Sequence, residues 1–318
     1  MSGSARARGL DVLTFPSNRR AVTAAVRAGR RIVPMHGLLE VDVTDARRLL
    51  AGHQPPLSTT AFVIGAVARA VAAHPEVHAY RNWRGRLVRH RQVDVQTLVE
   101  VPIEQGLFAL VHVVRDADIR GVADISRELS GVRADMTSTG TGRALQRLAP
   151  IAGRVPGVFP AMYAVMSRSV RAHELAGTVQ VTAVGMFAGG GGFAIAPPTL
   201  ASTLVVVGGL SRRPRVVGEE IVVRDVLDLT VTVDHNVVDG APATRFGADL
   251  RPGWIARPPT SDSARAADGH PVQDRSRSAR THRRGDGPRL SPADVPRAGG
   301  HADAPAGDGV ASGLGPAR

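Results

Sequence analysis

Apolar positions near residue 230 change from a strand pattern to a helix pattern within a few residues. Residues 227–233 are rich in β-branched side chains, which favour a strand with a buried face. The run ends at Asp234. Residues 241–250 then place Phe246 and Leu250 four positions apart, on one face of a predicted helix. The sequence therefore predicts a strand, a short turn and a helix, with the turn at the end of the strand.

The same patterns along the rest of the chain predict a two-layer α/β domain. Ser58 has the residue type and position of an N-cap for one of the helices. Helices and strands are interspersed, and the strand runs do not all alternate strictly, a mixture that indicates a two-layer α/β domain. The predicted helices are 19–32, 44–51, 58–73, 123–136, 159–174 and 241–250, and the predicted strands are 37–43, 93–101, 107–114, 179–184, 203–207, 221–223 and 227–233.

Composition divides the chain into three parts. Residues 1–17 form an N-terminal extension, and residues 18–250 have enough apolar content for one large domain. Residues 251–318 are rich in Arg, Pro, Gly, Ala, Ser and Asp without apolar periodicity. Such a segment buries too little surface to offset its ordering entropy, so we expect a disordered tail.

The net charge of +12 comes entirely from arginine, because the chain contains no lysine. Aromatic residues make up only 3%, and we find no nucleic-acid-binding motif, so we expect no nucleic-acid partner. There is no cysteine, which excludes disulfides and a cysteine nucleophile. No apolar run of membrane-spanning length is present, so we expect no membrane association and a cytoplasmic location.

His235 is the strongest candidate for chemistry, because it lies in the predicted turn directly after the strand. A neutral imidazole, with an ordinary pKa near ~6.5, accepts a proton at neutral pH when a substrate can reach it. A turn at the mouth of a sheet allows that access. The alternative is that His235 only forms a hydrogen bond within its own turn.

A longer series of motifs resembles one family. The His-x-x-x-Asp-Gly sequence of residues 235–240, with Asp before the histidine and an Arg-Phe pair at residues 245–246, resembles the dihydrolipoamide acyltransferases of 2-oxo acid dehydrogenase complexes. These enzymes share a fold with chloramphenicol acetyltransferase. Upstream motifs recur in the family's order over residues 18–250, namely Glu40-Val-Asp-Val-Thr44, Pro75-Glu-Val-His78, Val114-Arg-Asp-Ala-Asp118, Val184-Gly-Met-Phe187 and Ala196-Pro-Pro198. The resemblance implies a two-layer CoA-dependent acyltransferase fold with a mixed sheet.

The resemblance also implies roles at the reacting centre. His235 would be the general base that takes the proton of an attacking thiol, and the Thr182 hydroxyl would stabilise the oxyanion where the family has serine. Asp239 would hold the turn rather than transfer protons, and Gly240 would serve the turn. For Thr182 the alternative is a β-branched residue that simply suits a strand.

Further positions match the family's substrate channel. Gly185 and Met186 correspond to its Gly-Met turn, and His36 corresponds to a histidine near the channel, although a packed structural role for His36 is an equal alternative. Asn236 stands where the family usually has an arginine directly after the histidine, and this departure removes a charge beside the site. No spacing of His, Asp and Glu indicates a metal site.

The family implies a homotrimer with active sites between subunits, binding CoA or acyl-CoA as a substrate. Because the chain has no lysine to carry a lipoyl group, this group would come in trans, from a lipoyl-domain protein or other dehydrogenase components. The Arg-Pro-Gly sequence at residues 251–253 interrupts the family's C-terminal continuation, so assembly beyond a trimer stays open. Two alternatives also remain, a non-catalytic scaffold subunit of a dehydrogenase complex and an acyltransferase to a small amine or hydroxyl.

Overall fold

The computed structural model describes residues 11–13, 15–103, 106–140, 143, 155, 157–184 and 190–250. Within these residues the strands are β1 (Pro34–Asp42), β2 (Tyr80–Arg81), β3 (Leu87–Val88), β4 (Val95–Ile103), β5 (Gly106–Val114), β6 (Val179–Ala183), β7 (Thr203–Val217) and β8 (Glu220–Asp234). The helices are α1 (Ser17–Gly29), α2 (Thr44–Gly52), α3 (Thr59–Ala73), α4 (Val122–Ala134), α5 (Val158–Arg168), α6 (Val170–Leu175) and α7 (Gly240–Asp249), with a 3₁₀ turn at Met136–Ser138.

Six strands form a mixed sheet in the order β1-β8-β7-β6-β4-β5. Strand β6 pairs in parallel with β4 on one side and with β7 on the other. The other three pairs are antiparallel, namely β1 with β8, β7 with β8 and β4 with β5. Strands β2 and β3 form a separate small hairpin. The expected two-layer α/β fold with a mixed sheet is confirmed.

One face of the central strands forms the hydrophobic core. Val181, Val205 and Val231 lie side by side in the register and are buried together with the apolar side of α3. This helix also contacts α4 and α7. Its N-terminus is capped as predicted, since the Ser58 hydroxyl accepts a hydrogen bond from the backbone N–H of Ala61 at 3.4 Å. The helical layer therefore lies on the valine-rich face.

The opposite face of the same strands is polar although it is buried. Thr182, Thr230, Thr232 and Asp228 are each at most 5% exposed. Side chains alternate between the two faces of a strand, so these residues point away from the helical layer. Residues 190–200 run across part of this face, where the Thr199 hydroxyl bonds Gln180 at 2.9 Å.

Two glycines in β7 allow this covering segment to approach closely. A Cβ on Gly208 would lie 2.4 Å from the carbonyl oxygen of Gly192, and one on Gly209 would lie 2.4 Å from Gly191. The register of β7 and β8 shifts between Val207 and Leu210 at the same place. The irregularity in the strand and the close backbone contact thus require glycine at both positions.

The structure differs from the predicted elements in three respects. The helix predicted at 159–174 is two helices, because Ser169 takes an extended conformation and its hydroxyl caps α6 by accepting from Ala172 N at 3.3 Å. The short strands predicted at 203–207, 221–223 and 227–233 belong to two strands of 15 residues each. The hairpin of β2 and β3 was not predicted.

Most of the expected N-terminal extension lies outside the described residues, and so does the whole of the expected disordered tail. The domain boundaries therefore stay a prediction. In the part of the chain that the structure describes, no helix is both long and apolar enough to cross a membrane.

Candidate active site

The turn that carries His235 is fastened to the segment before β1. Strand β8 ends at Asp234, and one oxygen of its carboxylate accepts hydrogen bonds from Val33 N at 3.2 Å, Asn236 N at 3.0 Å and Asn236 Nδ2 at 2.8 Å. The backbone N–H of His235 donates to the Val33 carbonyl at 2.8 Å. Several hydrogen bonds on one short turn hold the backbone of His235 in place before any substrate binds.

The imidazole of His235 is oriented by its own turn. Its Nδ1 lies 3.0 Å from the carbonyl oxygen of Val238. A carbonyl only accepts hydrogen bonds, so the neutral ring carries its proton on Nδ1 and keeps the lone pair on Nε2. The side chain is 48% exposed, so a reactant can reach it. This arrangement suits a general base that acts through Nε2.

Asp239 does not hold the turn within a single chain. Its carboxylate oxygen is 3.9 Å from His235 Nδ1, beyond hydrogen-bond distance, and its side chain is 90% exposed. The fastening role expected of Asp239 belongs to Asp234, which is only 7% exposed. An acidic residue at a strand end with a polar residue two positions later is a sequence signal for such a turn.

Gly240 also differs from expectation. It is the first residue of α7, it is not among the described glycines with a positive φ, and a Cβ added there would meet nothing within 4 Å. The turn therefore does not depend on glycine at this position.

Thr182 lies on β6 and is buried on the polar face of the sheet. The register places it beside Val206 of β7, which in turn lies beside Thr230 of β8. His235 is five residues beyond Thr230. From about 4.8 Å per strand and about 3.3 Å per residue, Thr182 and His235 of one chain are separated by roughly 19 Å. One subunit therefore does not bring the two predicted catalytic side chains together.

His36 lies next to the turn, on β1. It pairs with Thr232 of β8, and its Nδ1 is 2.9 Å from the Thr232 hydroxyl. Gly185 and Met186 lie outside the described residues. Among the described residues, no group of three or more His, Cys, Asp or Glu side chains is arranged to hold a metal ion.

An ion pair that the sequence did not indicate lies on the same polar face, between a partly exposed arginine and a buried aspartate. Asp228 is fully buried, and its Oδ2 accepts from Arg213 at 2.5 Å and from Gly192 N at 2.7 Å. The hydrogen bond that Arg213 donates to Asp228 raises the pKa of the guanidinium. The second oxygen of Asp228 and the Thr230 hydroxyl have no partner in the described residues. Together these groups make the face that carries Thr182 strongly polar.

A cavity of about 290 Å³ opens beside the His235 turn. Asp234 and Asn236, the two neighbours of His235, form part of its wall. Tyr80, Arg81 and Trp83 of the hairpin also line it.

Three buried histidines lie behind Tyr80. The ring of His173 stacks on Tyr80 at 3.9 Å between centroids, and His90 stacks on Tyr80 at 5.6 Å. Burial, with the nearby His90 as the second cause, lowers the pKa of His78 and of His173 to about 4 each. Burial also lowers the pKa of His90. At neutral pH these rings are uncharged and act as packing groups.

Comparison with known proteins decides the family. Residues 13–140 and 163–258, more than half of the chain, match the family model of the 2-oxoacid dehydrogenases acyltransferase (catalytic domain). The chain belongs to the 2-oxoacid dehydrogenase acyltransferase family. The family recognised from the sequence motifs is thereby confirmed, and the His235 turn lies within the second matched range.

Curated relatives of this family resemble the chain over part of their length. The lipoamide acyltransferase component of the branched-chain alpha-keto acid dehydrogenase complex of Pseudomonas aeruginosa is 27% identical over 254 residues, covering 76% of this chain and 51% of that protein. The dihydrolipoyllysine-residue acetyltransferase component of the pyruvate dehydrogenase complex of Zymomonas mobilis is 26% identical over 237 residues, covering 72% and 46%. The chain spans about half the length of these relatives.

Solved structures of the family share the fold. The dihydrolipoamide acetyltransferase of Azotobacter vinelandii superposes with a TM-score of 0.59 at 17% identity, covering 81% of this chain and 98% of that one. A probable dihydrolipoamide acetyltransferase from Listeria monocytogenes gives a TM-score of 0.52 at 20% identity, covering 80% and 99%. Both agree with the mixed sheet and helical layer described above.

Proposed function

We propose that the protein transfers an acyl group between CoA and a thiol acceptor, a dihydrolipoyl group supplied in trans, with His235 as the general base. The observation that carries this proposal is the bond from His235 Nδ1 to the Val238 carbonyl, which leaves Nε2 available on an accessible ring. Family membership and the acyltransferase names of the curated relatives support the reaction class.

The chemistry follows from the position of the lone pair. Nε2 of His235 takes the proton of the acceptor thiol while its sulfur attacks the acyl carbon of the acyl-CoA thioester. The tetrahedral intermediate collapses with cleavage of the bond between the acyl carbon and the CoA sulfur, and that sulfur takes the proton back from Nε2. Positioned proton transfer of this kind contributes typically ~10²- to 10⁴-fold to the rate.

The oxyanion of the intermediate needs a donor, and we assign this role to the hydroxyl of Thr182. Because Thr182 and His235 of one chain are roughly 19 Å apart by strand geometry, the two act together only if they come from different subunits. In the A. vinelandii enzyme, a serine, a histidine and an asparagine four residues after that histidine have been investigated for their role in the catalytic mechanism. That spacing parallels His235 and Asp239.

The proposed assembly is a homotrimer within a dehydrogenase complex. The cubic core of a pyruvate dehydrogenase multienzyme complex shares the fold, with a TM-score of 0.57 at 17% identity, covering 79% of this chain and 94% of that one. CoA or acyl-CoA is the proposed substrate. His36, Gly185 and Met186 as substrate-channel residues, and the cytoplasmic location, stay predictions.

The test is CoA release from acetyl-CoA with dihydrolipoamide as acceptor. We expect His235→Ala to lower kcat by ~10²- to 10⁴-fold. Thr182→Val, which removes the hydroxyl but keeps the shape, should lose on the order of 10²- to 10³-fold, whereas Thr182→Ser should retain most activity.

The same assay separates the alternatives. Turnover that persists in His235→Ala contradicts the proposed base. Wild-type turnover with amine or hydroxyl acceptors but not with dihydrolipoamide favours a small-molecule acyltransferase. No turnover with any acceptor, together with binding of dehydrogenase components, favours a scaffold subunit.

A further inference from the structure

Two segments of the chain contain arginines but no acidic residue. Residues 12–39 contain five arginines, and residues 136–173 contain another five. Neither segment therefore offers a carboxylate to the arginines within it.

The two segments meet in the fold. Helix α1 lies in the first segment, α5 lies in the second, and the two helices pack against each other. A cavity of about 320 Å³ lies between them, and Phe15, Arg27 and Phe159 form part of its lining. We call α1, α5 and this cavity the α1–α5 surface. Aromatic rings and a guanidinium come together on it.

Helix α5 presents an apolar stripe to solvent. It has an apolar sequence, but none of its residues is buried. Val158 is 38%, Met162 42% and Val165 58% exposed. Their spacing of four and three residues places them on one side of the helix. Because exposed apolar side chains grouped in this way are uncommon on a soluble domain, the stripe indicates a binding surface.

The arginines of the α1–α5 surface are not neutralised by carboxylates. Five of them, on α1 and at or just after the end of α5, are exposed and form no ion pair with a described residue, namely Arg19, Arg27, Arg30, Arg168 and Arg171. The surface therefore combines positive charge with exposed apolar groups.

Part of this surface lies outside the ranges that match the family model. The first matched range ends at residue 140 and the second begins at residue 163, so Val158 and Met162 are in neither. The apolar stripe is thus a feature of this chain in addition to the matched acyltransferase domain.

We propose that the α1–α5 surface binds an anionic phospholipid bilayer from its aqueous side. The arginines would pair with lipid phosphates, and the stripe of α5 would enter the boundary between headgroups and acyl chains. This inference does not depend on the proposed function. It departs from the expectation of no membrane association, which was drawn from the lack of a spanning run, because peripheral binding needs no such run.

A bilayer fits the observations better than three other occupants. A small amphipathic anion in the cavity would leave Met162 and Val165 uncovered, since neither lines it. A nucleic acid would neutralise the arginines but leave the apolar stripe in water. A two-fold contact with a second copy would set arginine-rich segments without carboxylates against each other, and like charges repel. A bilayer with anionic headgroups covers both kinds of side chain.

The first experiment measures co-sedimentation of the full chain with vesicles. The probe vesicles contain equal parts of phosphatidylglycerol and phosphatidylcholine, and the comparison vesicles contain phosphatidylcholine alone. We expect wild type to bind the anionic vesicles at least ~10-fold more tightly than the neutral ones, with an affinity that falls as salt is added.

Charge-reversal variants locate the binding surface. Arg19→Glu/Arg27→Glu should lose at least ~10-fold in affinity for anionic vesicles, because each arginine near such a surface contributes about 5-fold. The matched control, Arg86→Glu/Arg133→Glu, makes the same change of net charge at exposed arginines of the β2–β3 hairpin and of α4, and it should bind like wild type.

The second experiment separates insertion from the attraction of charges. Met162→Ser/Val165→Ser removes apolar side chains without changing the charge, so binding should weaken by roughly 5- to 10-fold while its salt dependence stays that of wild type. The matched control, Val216→Ser/Ile221→Ser, removes exposed apolar side chains from β7 and β8 and should bind like wild type. Thermal unfolding of each variant checks that the fold is kept.

Three outcomes would overturn the proposal. The first is no binding of wild type to anionic vesicles, or an equal loss in Arg19→Glu/Arg27→Glu and its control. The second is a smaller sedimentation coefficient for Met162→Ser/Val165→Ser in solution, which would make the surface an interface between copies of the chain. The third is a single-stranded oligonucleotide that binds wild type more tightly than the vesicles and is lost in the α1 variant.

Discussion

The buried histidines behind Tyr80 make the stability of the fold depend on pH. In the folded protein the pKa of His78 and that of His173 are each about 4, compared with 6.5 for the ordinary side chain. The unfolded chain therefore binds protons that the folded protein excludes. Their contribution to stability is complete above about pH 7 and is lost as the pH falls from 6.5 toward 4.

The size of this effect follows from the two pKa values. One pKa unit corresponds to about 1.4 kcal/mol, so between pH 7 and pH 5 each histidine costs about 2 kcal/mol of unfolding free energy and the two together cost about 4 kcal/mol. Typical domains are stable by about 5 to 15 kcal/mol, so the change is large. Carboxylates with a lowered pKa, such as Glu128, stay charged in the folded protein at pH 5. Their stabilising charge is lost only below that pH.

Urea unfolding at pH 7 and pH 5, at constant ionic strength, measures this difference. His173→Phe keeps a ring to stack on Tyr80 but cannot be protonated, so its loss of stability between the two pH values should be about 2 kcal/mol smaller than that of wild type. A wild-type loss below about 1 kcal/mol, or an undiminished loss in His173→Phe, would refute the assignment to these rings.

Three further substitutions test the turn and the packing. Asp234→Ala removes the acceptor of three hydrogen bonds and should cost about 1–3 kcal/mol of stability and lower kcat, whereas Asp234→Asn keeps one oxygen and should retain more of both. Phe246→Ala empties a fully buried site and should cost about 3–5 kcal/mol in chemical denaturation, and a loss under about 1 kcal/mol would contradict its place in the core. Gly29→Ala should lower Tm because the added Cβ would lie 2.0 Å from the Pro198 carbonyl oxygen, whereas the matched Gly131→Ala, with nothing within 4 Å, should raise Tm slightly.

The sequence was sufficient to locate the candidate base because local signals mark it on both sides. The β-branched run before Asp234 and the apolar spacing after Gly240 place His235 in a turn, and the structure agrees. The family motifs around this turn also predicted the mixed two-layer fold.

What the sequence did not show depends on contacts between distant residues. One of the three hydrogen bonds to Asp234 comes from Val33, and neither residue indicates the other. The separation of Thr182 from His235 follows from strand register, which no local pattern encodes. Strands β2 and β3 of the small hairpin contain two residues each, too few for a periodic signal.

The bond between Val33 and Asp234 also bears on how the protein folds. It joins residues 201 positions apart, so the turn of His235 reaches its final geometry only when β1 has paired with β8. Closing so long a loop is slow compared with forming α7 or the β7–β8 pair. The candidate base is therefore assembled late in folding, and the proposed acyl transfer should recover after the helical signal does when denatured protein is returned to native conditions.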